Sequence, residues 1–139
     1  MKSFSMKIIT KQLAEEIFEA ANDNGNKVTV DMRKREEKGN LSPTELVLSA
    51  LASCAGVDIA SMLKKRKKTI QAFVIESDGT RREDPPRYFT KIHCTFIITS
   101  PDVTEEELQK VAGLAIEKYC SVASSLKADI THSAKVLRP

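Results

Sequence analysis

The residues of this chain with the clearest capacity for chemistry are three cysteines, Cys54, Cys94 and Cys120. A thiolate is a nucleophile and a redox centre, whereas a thiol packed among apolar groups behaves as a small, inert hydrophobe. Context separates the three. Cys54 lies among the small residues Ala50, Ala52, Ser53, Ala55 and Gly56, and Cys120 closes the run Glu117-Lys118-Tyr119. Each is predicted on a long helix, and the two helices are predicted to pack together. Cys94 sits in Ile92-His93-Cys94-Thr95-Phe96, an alternating pattern that predicts a strand and a packing role. No cysteine pair has C-x-x-C spacing and there are only two histidines, so no metal site is expected.

The charges are less informative. A net charge of +3 is too small to imply nucleic acid. The basic run Lys64-Lys65-Arg66-Lys67-Lys68 reads as cations closing a helix, where positive charge is favourable. A nucleic-acid module resting on it would lack an aromatic stacking platform. The first six residues carry no apolar leader with a cleavage site, and no uncharged stretch of eighteen residues follows, so neither secretion nor a membrane span is expected. The expected place is the cytoplasm. There, three cysteines argue for free or reactive thiols rather than a disulfide scaffold.

The length of 139 residues suits one domain with one core. Short strands are predicted over residues 7–10, 16–20 and 27–32, with Asn22-Asp23-Asn24-Gly25 as a turn. Residues 33–40 read as a charged, exposed loop. Ser42, Pro43 and Glu45 form a capping box that opens a helix. Its residues 46–63 are apolar or small on nearly every side, so it must be covered on most faces. A second helix and a second copy of the chain are the expected cover. Strands follow over 70–77 and 88–99, separated by Asp84-Pro85-Pro86. Thr104 and Glu107 open a second helix running to about Cys120; a short helix over 122–127 and a strand over 129–137 end the chain. The order β-β-β-α-β-β-α-β is α+β.

The segment Ser42-Pro43-Thr44-Glu45-Leu46-Val47-Leu48, leading to Cys54, resembles the first-cysteine helix of the OsmC/Ohr family. Ala115-Ile116-Glu117-Lys118-Tyr119-Cys120-Ser121-Val122 resembles the second-cysteine helix. The stretches from Arg81 to Thr90 and from Ile130 to Ser133 resemble the YhfA-like branch of that family. The resemblance implies an intertwined homodimer with two central helices wrapped by sheets and active sites at the subunit interface. It also implies reduction of organic hydroperoxides. Cys54 would be the peroxidatic thiolate and Cys120 the resolving thiol, with no cofactor beyond an external thiol or dithiol.

Two features depart from that pattern. Ohr members ionise the first cysteine with an arginine from the first β-hairpin, oriented by a glutamate directly after the proline. Here Lys11-Gln12-Leu13-Ala14 holds no arginine, and Thr44 follows Pro43. Glu45, one position later, is a candidate for a supporting role, as is Arg87; Arg33, Arg35 and Arg82 are further sources of a cation. The alternative function is a non-catalytic small-molecule-binding or thiol redox-sensing protein on the same fold.

Overall fold

The computed structural model describes residues 3–139. The elements run β1 (Ile9–Ala14), β2 (Ile17–Ala21), β3 (Lys27–Asp31), α1 (Pro43–Lys65), β4 (Ala72–Arg81), β5 (Phe89–Thr99), α2 (Glu105–Leu114), a π-helical turn (Ala115–Tyr119), α3 (Ser121–Ser124) and β6 (Asp129–Leu137). The class is α+β, as the sequence predicts. The chain divides into two compact units, one up to Val47 and one from Leu48, with α1 beginning in the first and running through the second.

The first unit is an antiparallel meander, β1-β2-β3. The Asn22–Gly25 turn forms as expected: the Asn22 Oδ1 accepts the N–H groups of Asn24 and Asn26, and Gly25 takes φ 81°. The first hairpin differs from expectation. β1 does not stop at residue 10 but pairs with β2 through Ala14, and the chain reverses at Glu15 and Glu16. Glu16 adopts φ 63° there, a left-handed conformation that no glycine or asparagine announces.

Helix α1 starts where its capping box predicts. Ser42 Oγ lies 3.4 Å from the Glu45 N–H that it accepts, and Glu45 Oε1 accepts the Ser42 N–H at 2.9 Å. The helix closes at Lys67, in the left-handed region with φ 62°, and the Lys68 N–H reaches back to the Leu63 carbonyl. Leu51, Ala55, Ile59 and Leu63, spaced four apart, are wholly buried. Within one chain, however, only this stripe and Gly56 are fully covered. Val57 is 69% exposed, so the expected cover on most faces is not supplied by the chain itself. By length and composition α1 could cross a membrane, a test that core helices also pass.

The second unit carries the core. β4 and β5 pair antiparallel, β6 joins β5 in parallel, and the order is β4-β5-β6. Ile92, Cys94, Phe96 and Ile98 alternate along β5 into one cluster with the α1 stripe and with Leu108, Val111 and Ala112 of α2. Thr104 caps α2 by accepting the Glu107 N–H, but only half the predicted capping box forms. The Glu107 carboxylate turns instead to Arg66 at 3.4 Å and Lys68 at 3.6 Å, where two cations outcompete one backbone N–H. The second helix ends at about Cys120, as predicted, but it is not α-helical throughout. Its α-helical part stops at Leu114, a π-turn follows, and Cys120 breaks the helix with extended backbone (φ −75°, ψ 106°).

Candidate functional site

Cys54 and Cys120 are neighbours inside the second unit, near enough for one thiol to act on the other. Cys54 projects from α1 one turn beyond Leu51 and is half-buried; Cys120 is wholly buried. The π-turn sets the position of Cys120. Its N–H reaches five residues back to the Ala115 carbonyl at 2.7 Å, so the backbone gains a residue before the break. Cys120 then becomes the cap of α3. Its Sγ accepts the Ala123 N–H at 3.3 Å and stands 4.0 Å from the Leu51 carbonyl of α1. Burial pushes the Cys120 thiol up, the Ala123 N–H works against that, and the neighbouring Cys54 thiol pushes it up further. A pair of free thiols placed side by side can cycle between dithiol and disulfide.

The other candidates lie elsewhere. The carboxylate of Glu45 accepts from Lys38 and from Ser42, and these partners, Lys38 above all, hold it down from 4.5 to about 2. Arg87 is exposed and donates Nε to the Glu83 carbonyl at 2.9 Å. Arg82 stands over the Tyr88 ring, 5.2 Å from its centroid, with Lys127 at 3.7 Å. Arg33 is clasped by Asp31. Cys94 faces the core with Ser77 Oγ 3.9 Å away, and burial pushes its thiol up. Among the described residues, no cluster of three metal-ligating side chains occurs.

Sequence reasoning missed Asp31. This carboxylate is wholly buried at the end of β3 and accepts four N–H groups: the backbone and Nε of Arg33 on Oδ1, and Arg33 Nη2 and the Gly39 backbone on Oδ2. Arg33 holds it well below the usual carboxylate range, burial opposes, and the two backbone donors add to the lowering. An acid ending an alternating strand just before a basic loop was the available signal.

Fold and site together define a small α+β dithiol protein. The pattern described as OsmC-like protein matches residues 35–135, and the chain belongs to that family. It is 38% identical to Protein YhfA of Escherichia coli (strain K12) over 98 residues, covering 69% of this chain and 73% of that protein. A crystal structure from Aquifex aeolicus VF5 superposes with a TM-score of 0.86 at 26% identity, covering 99% of each chain. The organic hydroperoxide resistance protein OhrB of Bacillus subtilis shares the fold, with a TM-score of 0.63 at 18% identity over 96% of this chain and 98% of that one.

Proposed function

We propose that this protein reduces organic hydroperoxides through Cys54 and Cys120, as a stress-response enzyme of the cytoplasm. The observation that carries the reading is the side-by-side placement of one accessible and one buried thiol on two different elements. The names of fold relatives such as OhrB point the same way. In the proposed cycle the Cys54 thiolate attacks the O–O bond of ROOH, and ROH leaves with a proton. The resulting sulfenic acid condenses with the Cys120 thiol to a disulfide, releasing water. An external dithiol then reduces the disulfide by two exchange steps and leaves as its own disulfide. Three free thiols suit a reducing compartment.

The working unit is proposed to be a homodimer. Val57 on α1 and Ile9 and Leu13 on the first sheet are 52–69% exposed, which is apolar surface that a second copy would cover. Sedimentation at micromolar concentration should give the dimer mass; a stable folded monomer would refute it.

A second reading, thiol redox sensing without turnover, is favoured by the commitments of Arg33, Arg82 and Arg87 to other partners. Peroxide consumption with tert-butyl hydroperoxide and a lipoyl dithiol separates the two. The enzyme reading expects many turnovers, lost in Cys54→Ser, with Cys120→Ser trapping a sulfenate visible by mass spectrometry. A single oxidation without turnover favours the sensor, and a Cys54 that stays reduced in the folded protein removes both.

A further inference from the structure

A cavity of about 880 Å³ opens within the first unit, walled by β3, the loop after it and the start of α1. That volume is in the range of small-molecule sites. Its walls are of two kinds. Val28, Leu41 and Leu46 are apolar, and Val28 and Leu41 are 44% and 45% exposed, so they have surface left to cover. Arg33, Arg35 and Lys38 bring three cations against a single lining carboxylate, Glu45. Glu36 and Glu37 share the loop but do not wall the cavity.

These cations differ in how far they are committed. Lys38 is paired with Glu45. Arg33 gives Nε and Nη2 to Asp31, which fixes its guanidinium while leaving N–H donors on its outer edge. Among the described residues Arg35 has no ion-pair partner. The loop that carries all three is held in place: the Asp31 carboxylate ties Arg33 and Gly39, and the Asp31 N–H donates to the Leu41 carbonyl at 3.1 Å. A pre-ordered loop loses little freedom on binding.

We propose that this cavity binds a small amphipathic anion, distinct from any hydroperoxide at the cysteine pair. An acidic headgroup, carboxylate or phosphate, sits against Arg35 and the outer edge of Arg33, and an apolar tail lies on Val28, Leu41 and Leu46. The pairings support an anion, because those of Arg33 with Asp31 and Lys38 with Glu45 leave Arg35 as the lining cation without an ion-pair partner among the described residues. The apolar wall selects a tail over a simple inorganic ion.

Calorimetric titration of the full chain with hexanoate, octanoate, octyl phosphate and octanol tests this. Octanoate or octyl phosphate should bind saturably, and the tighter of the two identifies the headgroup. Octanol should bind at least about threefold more weakly, since it lacks the charge. Hexanoate should bind more weakly than octanoate by about two- to fourfold per CH₂ removed. Arg35→Ala should weaken octanoate about three- to tenfold, with Arg35→Lys recovering part of the loss. Leu41→Ser should reduce the chain-length gain. Cys54→Ser should bind octanoate unchanged, which keeps this site separate from the thiol chemistry. Equal binding of octanol and octanoate, an unaltered Arg35→Ala, or loss of binding in Cys54→Ser would each overturn the assignment.

Discussion

Gly56 of α1 is where opposing effects can be weighed most directly. The residue is buried, two positions after Cys54, and a Cβ built on it would lie 2.9 Å from Ile75 Cδ1 and 3.9 Å from Phe73 Cε2 on β4. Replacing glycine by alanine inside a helix is worth about 1 kcal/mol in propensity. Overpacking costs about 1–3 kcal/mol, and about 2 is the middle of that range for a contact in which a half-buried side-chain tip must give way. Gly56→Ala should therefore destabilise by about 1 kcal/mol. Ile75→Val deletes the obstructing methyl and by itself costs about 1 kcal/mol. In that background Gly56→Ala meets only ordinary contact with Phe73, so its propensity gain of about 1 kcal/mol should emerge. The coupling between the two sites is then about 2 kcal/mol. Urea unfolding of the four variants at one protein concentration measures it. Equal destabilisation by Gly56→Ala in both backgrounds would mean that α1, and not Ile75, gives way. Increased reactivity of Cys120 toward a thiol reagent would accompany that outcome, because α1 covers its sulfur.

Cys94→Ala should leave peroxide oxidation of Cys54 unchanged and cost about 1 kcal/mol, as small cavities do. Burial raises the folded thiol values of Cys94 and Cys120. Their contribution to stability is thus complete below the ordinary thiol value of about 8.5 and is lost as pH rises through the folded values. Melting temperatures from pH 7 to 10 should fall, and Cys94→Ala should flatten the decline; an unchanged slope counts against the burial argument. His132 is lowered first by burial, with Glu117 opposing and His93 adding, and its Nδ1 lies 3.2 Å from Gln109 Nε2. Its contribution is present above about 6.5 and is lost as pH falls through the depressed folded value, so His132→Gln should reduce acid sensitivity below pH 6.5 in melts extended to acid.

Much of the fold was legible because local chemistry specified it. Ser42, Pro43 and Glu45 announce α1, and Asn22 through Gly25 announce their turn, since each supplies hydrogen bonds within four residues. The unannounced features depend on distant or unusual partners. The reversal at Glu15 and Glu16 uses residues with no turn preference. The π-turn comprises Ala115, Ile116, Glu117, Lys118 and Tyr119, of which Ala, Glu and Lys favour an ordinary α-helix. At the candidate site, Cys54 was legible from its small neighbours and Cys120 from its place at the end of the predicted second helix. The Leu51 carbonyl and Ala123 N–H were not, because any sequence supplies backbone groups. Asp31 escaped notice because its partners come from two points of a loop that reads only as charged and exposed.

The π-turn also bears on the order of events in the proposed cycle. Without the added residue, the side chain at position 120 would point about 100° away around the helix, and the break that makes Cys120 a cap would fall elsewhere. With it, Cys120 lies beneath the Leu51 turn of α1, wholly shielded, while Cys54 keeps part of its surface. A hydroperoxide approaching from solvent can therefore reach Cys54 but not Cys120. Burial pushes the Cys120 thiol up, which lowers its share of thiolate at neutral pH. In the proposed cycle, access makes Cys54 the first to react, and the second thiol is protected until a sulfenic acid forms beside it. Cys120 need then only lose its proton and shift by a rotamer or by fraying of the four-residue α3. Disulfide closure should thus be limited by the thiolate fraction of Cys120, and its rate should rise with pH after Cys54 has already been oxidised.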